Sequence, residues 1–167
     1  VLAAWGREAV EPQRLPILCG LDLTRKVSMT PEHLTRLAAA AGSTTTPLSE
    51  NDERGTRSSA SNPLIRVIED ATRFYLEAYH ELGHGYQAHM HDPLAAAAAL
   101  DPGLVTTGPA TVDIELTGTL TRAMTVTDWW GRREPNALIG IDVNAAAFFD
   151  LFIERVGPFA RRLACAP

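Results

Sequence analysis

A change of hydrophobic period part-way along the chain constrains its fold more than any other feature. Before Leu100, apolar residues recur every three or four positions in two stretches, which is typical of amphipathic helices. Over residues 111–117 apolar and polar residues alternate strictly, as on a half-buried strand, and the runs 124–130 and 137–143 are similar. A closing helix is predicted over 145–164. Helices interleaved with strands predict an α/β domain whose last strands pair antiparallel.

Capping residues and prolines mark the boundaries of the predicted helices. Threonine or aspartate followed by proline, the preferred N-cap and first helical residue, begins the helices predicted over 30–42 and 92–100. Between them a helix begins at Pro63 and ends at two glycines, residues 83 and 85. The apolar run 15–21 predicts a buried strand, and the first dozen residues predict the end of a helix.

A polar tract over residues 43–61 precedes the helix that begins at Pro63. It is too long for an ordinary connection in a compact domain, so we expect a lid, a binding loop or a linker. The helix itself is amphipathic, and its apolar side is expected to face the core. That side comprises Leu64, Val67, Ile68, Ala71, Phe74, Tyr75 and Ala78.

Composition predicts a globular chain with a single domain over residues 1–167, since 46% of the residues are apolar and 21% are charged. Fifteen basic and 20 acidic residues give a net charge of −5 without a basic stripe, so nucleic acid is not an expected partner. No apolar run is long enough to cross a membrane. Cys19 and Cys165 suit neither a disulfide framework nor a metal site, and a cytoplasmic location is expected.

Four of the five histidines lie between residues 79 and 92. His80, Glu81 and His84 spell the pattern of zinc hydrolases, in which two histidines one turn apart bind zinc and the glutamate activates water. Gly83 weakens a helix inside this pattern. The alternative is a solvated helix end, where histidines interact favourably with the helix dipole.

The segment His91-Asp92-Pro93 also admits two interpretations. In one, Asp92 caps the next helix and His91 lies in a loop. In the other, the Asp92 carboxylate is a calcium ligand and His91 is a general acid, because its ordinary pKa is close to neutral pH.

Several segments, taken in order, resemble the inosine-uridine preferring nucleoside hydrolases. The match begins with the apolar strand and Gly-Leu-Asp-Leu-Thr segment at 16–24 and continues through 91–95 and 100–102. It then includes Val-Asp-Ile-Glu-Leu-Thr-Gly at 112–118 and further segments at 120–128 and 135–136. The order and spacing of these pieces together are specific.

The resemblance implies hydrolysis of the N-glycosidic bond of purine or pyrimidine ribonucleosides to ribose and a free base. It also implies a calcium ion that holds the ribose hydroxyls and the attacking water. By this resemblance Asp92 is a calcium ligand, His91 faces the leaving base, and Tyr75 and Tyr79 contact the base. For the two tyrosines, an aromatic pair on a buried helix face is the alternative.

Two motifs of the family do not occur in the chain: the N-terminal Asp-x-Asp-Pro-Gly-x-Asp-Asp cluster, and the mid-chain asparagine and glutamate motif that binds ribose. We therefore expect a C-terminal portion of the fold, a mixed sheet with flanking helices, whose N-terminal half is missing. Asp92 alone makes an incomplete calcium site, and the chain is expected to be impaired or inactive alone. A separately encoded N-terminal half, a catalytically dead homo-oligomeric module and a zinc hydrolase stay open as alternatives.

Overall fold

The computed structural model describes residues 15–165, which divide into two compact units. The first contains residues up to 23 and residues 105–143, and the second contains 24–104 and the residues from 144 onward. A single domain over 1–167 stays a prediction, and the helix expected in the first dozen residues lies outside the described part. The elements, in chain order, are β1 Ile17–Leu18, α1 Leu21–Thr24, β2 Ser28–Met29, α2 Pro31–Ala40, α3 Pro63–Glu81, β3 Ala88–His89, α4 His91–Leu100, β4 Val105–Ile114, β5 Thr125–Asp128, β6 Ala137–Val143 and α5 Ala145–Ala164.

The first unit is built on a four-stranded mixed sheet of order β1-β6-β4-β5. β1 is parallel to β6, with Ile17 opposite Leu138, whereas β4 is antiparallel to both β5 and β6. The antiparallel pairing of the last three strands, which the alternation predicted, is confirmed. The predicted α/β class is confirmed as well.

The strand predicted over 15–21 was too long. Strand pairing covers Ile17–Leu18 only, and the chain turns into α1 at Leu21, whose side chain is exposed. Helical geometry instead buries Leu23, and its backbone N–H donates to the Gly20 carbonyl. A continuous apolar run does not distinguish a strand from a strand followed by a helical turn.

Three helices of the second unit surround a core of small and aliphatic side chains. α2 lies against α5 so closely that a Cβ on Gly157 would be 2.5 Å from the Cβ of Ala40. The Arg161 guanidinium donates to the Ala40 carbonyl at 2.7 Å and so satisfies the end of α2. The fully buried members of the core are Leu37, Ala38, Ala41, Ala60, Ile65 and Ala160.

The boundaries of α2 and α3 agree with the sequence. Thr30 is the N-cap of α2, with Pro31 first in the helix, and the His33 ring accepts from the Thr30 backbone N–H. Asn62 caps α3 by accepting from the Leu64 and Ile65 backbone N–H groups. None of the helices within residues 15–165 is long and apolar enough to span a membrane.

The prediction of the buried face of α3 was only partly correct. Leu64 and Ile68 pack against the apolar core, as predicted. Val67, Phe74 and Tyr75 were expected in the core, but each is more than half exposed. The buried positions of α3 instead include Glu69 and Arg73. Glu69 and Arg73 are buried because they contact polar residues of the tract 43–61. Ile65 of the same helix is buried in the apolar core.

The polar tract is held to α3 by hydrogen bonds and ion pairs. The Glu69 carboxylate accepts from the hydroxyls of Thr45 and Ser58, and Arg73 pairs with Asp52 at 2.9 Å. Contacts with Arg73 and with the Ser49 backbone N–H lower the pKa of Asp52, the backbone contact having the larger effect. A lid role for residues 43–61 stays a prediction.

Candidate active site

A short antiparallel pair of strands positions the histidine segment. β3 pairs with β2, placing His89 opposite Ser28. The next residue, Met90, donates its backbone N–H to the Val27 carbonyl at 2.9 Å, and α4 begins at His91. His89 and His91 therefore lie on either side of the junction between β3 and α4, and Met90 between them is hydrogen-bonded to the residue that precedes β2.

The ring of His91 is oriented by a buried hydroxyl. Its Nδ1 lies 2.7 Å from Oγ1 of Thr24, a residue with 2% of its surface exposed. The hydroxyl donates or accepts according to the tautomer of the ring. In either case Nδ1 is engaged, which leaves Nε2 as the nitrogen that a ligand can use.

The ring of His89 is held in the same way. Its Nδ1 lies 2.8 Å from Oγ of Ser28, and its centroid is 5.6 Å from that of His91. Burial lowers the pKa of His89, and the charges of His91, Arg25 and His84 lower it further. At neutral pH the His89 ring is therefore an uncharged imidazole with one donor and one acceptor.

Asp92 is not the cap of the next helix, so one interpretation of its sequence position was wrong. α4 begins one residue earlier, at His91, with Met90 as N-cap and without a capping side-chain hydrogen bond. The hydrogen bond of Leu94 N–H to the Met90 carbonyl sets this start. The Asp92 side chain is left exposed in the first turn, where the helix dipole favours a negative charge.

A cleft of about 240 Å³ lies between α3 and the histidine segment. His89, His91 and Asp92 line it from one side, and Thr72 and Tyr75 of α3 line it from the other. The structure thus brings together three of the predicted site residues, His91, Asp92 and Tyr75.

Tyr79 occupies a different place from Tyr75. Its ring packs edge-on against His89, with 4.7 Å between centroids, and it also faces His84. It is not among the residues that line the cleft. A base contact by Tyr75 or Tyr79 stays a prediction, but only Tyr75 borders the cleft directly.

The zinc pattern does not form the geometry that it requires. α3 ends at Glu81, and Gly83 adopts φ of +77°, so His84 lies in a loop instead of one helical turn beyond His80. Nδ1 of His80 lies 3.8 Å from a carboxylate oxygen of Glu50. Residues 15–165 contain no group of three or more His, Cys, Asp or Glu side chains that could hold a metal ion.

The described residues also do not fit a calcium ion by themselves. Calcium takes about six to eight oxygen ligands, several of them carboxylates. Asp92 is the one carboxylate that lines the cleft, and within residues 15–165 it belongs to no cluster of three or more His, Cys, Asp or Glu side chains.

Comparison with known proteins identifies the family. The family model "Inosine-uridine preferring nucleoside hydrolase" matches residues 3–150. The chain belongs to this family. The resemblance seen in the sequence is therefore confirmed.

Members of the nucleoside hydrolase family match the chain over part of their own length. The pyrimidine-specific ribonucleoside hydrolase RihA of Citrobacter koseri is 29% identical over 147 residues, which cover 86% of this chain and 41% of RihA. A purine-preferring ribonucleoside hydrolase from Gardnerella vaginalis superposes with a TM-score of 0.66 at 25% identity, over 87% of this chain and 40% of that one. A plant nucleoside hydrolase superposes with a TM-score of 0.59 at 17% identity, covering 84% of this chain and 41% of that one. The structure is thus a part of the nucleoside hydrolase fold.

Sequence reasoning missed three residues of this candidate site. The sequence does not distinguish His89 from the other histidines of its cluster, and it does not indicate Thr24 and Ser28 as partners of histidines. A signal was present for His89, because it belongs to the cluster of four histidines between residues 79 and 92. Nothing local could have paired Thr24 with His91, since 67 residues separate them.

Proposed function

We propose that this chain forms the leaving-base side of a nucleoside N-ribohydrolase site. The reaction is hydrolysis of the N-glycosidic bond of a ribonucleoside to ribose and a free base. The observation that carries the proposal is the His91 ring, which a buried threonine orients at a cleft shared with Asp92 and Tyr75 in a chain of this family.

His91 supports departure of the base. As the glycosidic bond breaks, negative charge develops on the base, and a positioned imidazole that donates a hydrogen bond or a proton stabilises it. Thr24 fixes the ring in one orientation, so the donor is in place before the reaction begins. Tyr75 offers an aromatic face on the opposite side of the cleft, against which a planar base can stack.

The remaining part of the chemistry needs groups that the described residues do not supply. We propose Asp92 as one calcium ligand, and we propose that the chain alone hydrolyses nucleosides slowly or not at all. With the N-terminal half of a related hydrolase supplied as a second chain, we expect the carboxylate cluster and catalytic base to be completed. Nucleoside salvage in the cytoplasm is the setting that we propose.

Release of reducing sugar from inosine and uridine tests this proposal, with calcium or with excess chelator. We expect little release by the purified chain and calcium-dependent release when the second half is added. In the mixture, His91→Ala should lower the rate, whereas His80→Ala, on α3 outside the cleft, should not. Calcium-dependent turnover by the chain alone would contradict the need for a second half, and an inactive mixture that forms a stable complex would contradict the function.

A second candidate is a catalytically inactive module that self-associates. Three exposed apolar side chains favour this candidate: Val67 and Phe74 of α3, and Leu82 at its C-cap. Exposed apolar surface promotes association. Sedimentation velocity of the purified chain measures it. A concentration-independent monomer would remove this candidate.

A further inference from the structure

Two histidines, not one, face the cleft. His89 and His91 both line it, with their ring centroids 5.6 Å apart. Nδ1 of each ring is hydrogen-bonded to a hydroxyl from the segment before α2. The partner of His89 is Ser28, and the partner of His91 is Thr24. Each ring is therefore oriented by one nitrogen and offers the other, Nε2, to a ligand.

His89 is held from a second direction by Tyr79. The tyrosine ring packs edge-on against the imidazole, with an interplanar angle of 78°. The hydroxyl of Ser28 and the ring of Tyr79 come from different elements, β2 and α3, so they restrict the imidazole independently. A side chain that is ordered before binding loses little rotamer entropy when it contacts a ligand.

The chemistry of His89 suits a nucleobase better than a sugar-bound metal. Burial disfavours its charged form, so at neutral pH it is a neutral group with a directional hydrogen bond to give or receive. The edge of a nucleobase presents such donors and acceptors.

We propose that His89 is a specificity-determining residue that contacts the polar edge of the nucleobase through Nε2, with Ser28 and Tyr79 as its positioning residues. The assignment rests on the proposed function, because it takes the cleft beside His91 to be the base side. It gives Tyr79 an indirect role, through His89, in place of the direct base contact expected from the sequence. It also makes His89 a residue that discriminates between bases. RihA is named as pyrimidine-specific and the Gardnerella hydrolase as purine-preferring, so base preference differs between these two relatives.

The test is a titration of the purified chain, labelled with ¹⁵N-histidine, followed by NMR of the imidazole nitrogens. Uracil, hypoxanthine and D-ribose are added separately, and this method detects weak binding. We expect at least one of the two bases to shift the Nε2 signals of both His89 and His91 in a saturable way. D-Ribose should leave the His89 signals in place.

Matched variants separate the role of His89 from general packing. His89→Phe keeps a ring against Tyr79 but removes both nitrogens, and we expect base affinity, read at His91, to fall about fivefold or more. The same substitution at His80, on α3 outside the cleft, should leave that affinity unchanged. Ser28→Ala should change the tautomer balance of His89, visible in its two ¹⁵N shifts, and should weaken base binding. Circular dichroism checks that each variant is folded.

The outcomes distinguish this proposal from the one on which it rests. A base that shifts His91 but not His89, or equal affinities for the wild type and His89→Phe, would overturn the role of His89 and leave the proposed function standing. If neither base shifts either histidine, the cleft is not the base side and both proposals fail. A His89 response to ribose equal to that with base would assign the residue to the sugar and overturn the base contact.

Discussion

Replacement of Glu69 by alanine is the sharpest test of how the polar tract is held. Glu69 is 2% exposed on α3, and its carboxylate accepts from the hydroxyls of Thr45 and Ser58, near the two ends of the tract 43–61. Glu69→Ala removes both hydrogen bonds together with the buried methylenes of the side chain. We therefore expect the substitution to destabilise the fold and to loosen the tract.

The magnitude follows from these contacts. A hydrogen bond to a charged group contributes about 1.5–3 kcal/mol to stability. Water can reach the two hydroxyls once the carboxylate is gone, because Thr45 and Ser58 are half-buried, so part of that loss is recovered. We expect the free energy of unfolding to fall by about 2–4 kcal/mol.

Glu81 is a matched control on the same helix. Its side chain is 53% exposed and pairs with Arg54 at 2.6 Å, and exposed ion pairs contribute about 0–1 kcal/mol. Urea unfolding of Glu69→Ala and Glu81→Ala, followed by circular dichroism, gives the two free energies. Limited proteolysis reports cleavage within 43–61, which should be faster in Glu69→Ala alone. Free energies that agree within about 0.5 kcal/mol would refute the anchoring role of Glu69.

Three further predictions concern the site and the packing around it. Thr24→Val keeps the buried shape but removes the hydroxyl on His91; the free energy of unfolding by urea should fall by about 0.5–1.5 kcal/mol, and Thr24→Ser should restore most of it. Gly157→Ala puts a methyl group against α2 and should cost about 1–3 kcal/mol in the same assay, so an unchanged midpoint would contradict the close packing. Burial lowers the pKa of His33 and His89 from the ordinary value of 6.5, so the unfolded chain binds more protons between the lowered pKa and 6.5. The free energy of unfolding should therefore fall as the pH drops through that window. Replacing both His33 and His89 should reduce the difference between the free energies of unfolding by urea at about pH 7 and about pH 5.5.

Local sequence signals predicted much of the secondary structure. Thr30 with Pro31 and the proline at 63 begin helices because capping and a fixed φ act within a few residues of the helix start. Strict alternation predicted the antiparallel strands β4–β6, since side chains on a strand point to opposite faces in turn. Interactions of this kind need no information about distant parts of the chain.

Predictions that depended on the neighbour of an element were less reliable. Periodicity correctly placed Leu64 and Ile68 of α3 against the core, but it also placed the exposed residues Phe74 and Tyr75 there. It did not predict the burial of Glu69, which contacts the polar tract. Likewise, aspartate is a preferred N-cap residue, but Asp92 is not the N-cap of α4. Met90 is the N-cap, its backbone N–H donates to the Val27 carbonyl, and the helix begins at His91. In both cases a tertiary contact overrides the local preference.

By itself, the sequence determined the α/β class, the starts of α2, α3 and α5, and the family. It also indicated three residues of the candidate site, His91, Asp92 and Tyr75. These follow from short-range spacing and from the order of motifs along the chain. The tertiary structure alone decided which side chains accompany them. Thr24 meets His91 across 67 residues and Ser28 meets His89 across 61, because β2 pairs with β3 and brings the two segments together. Hydrogen bonds between such distant residues leave no local signal in a single sequence, since their partners become neighbours only when the backbone folds.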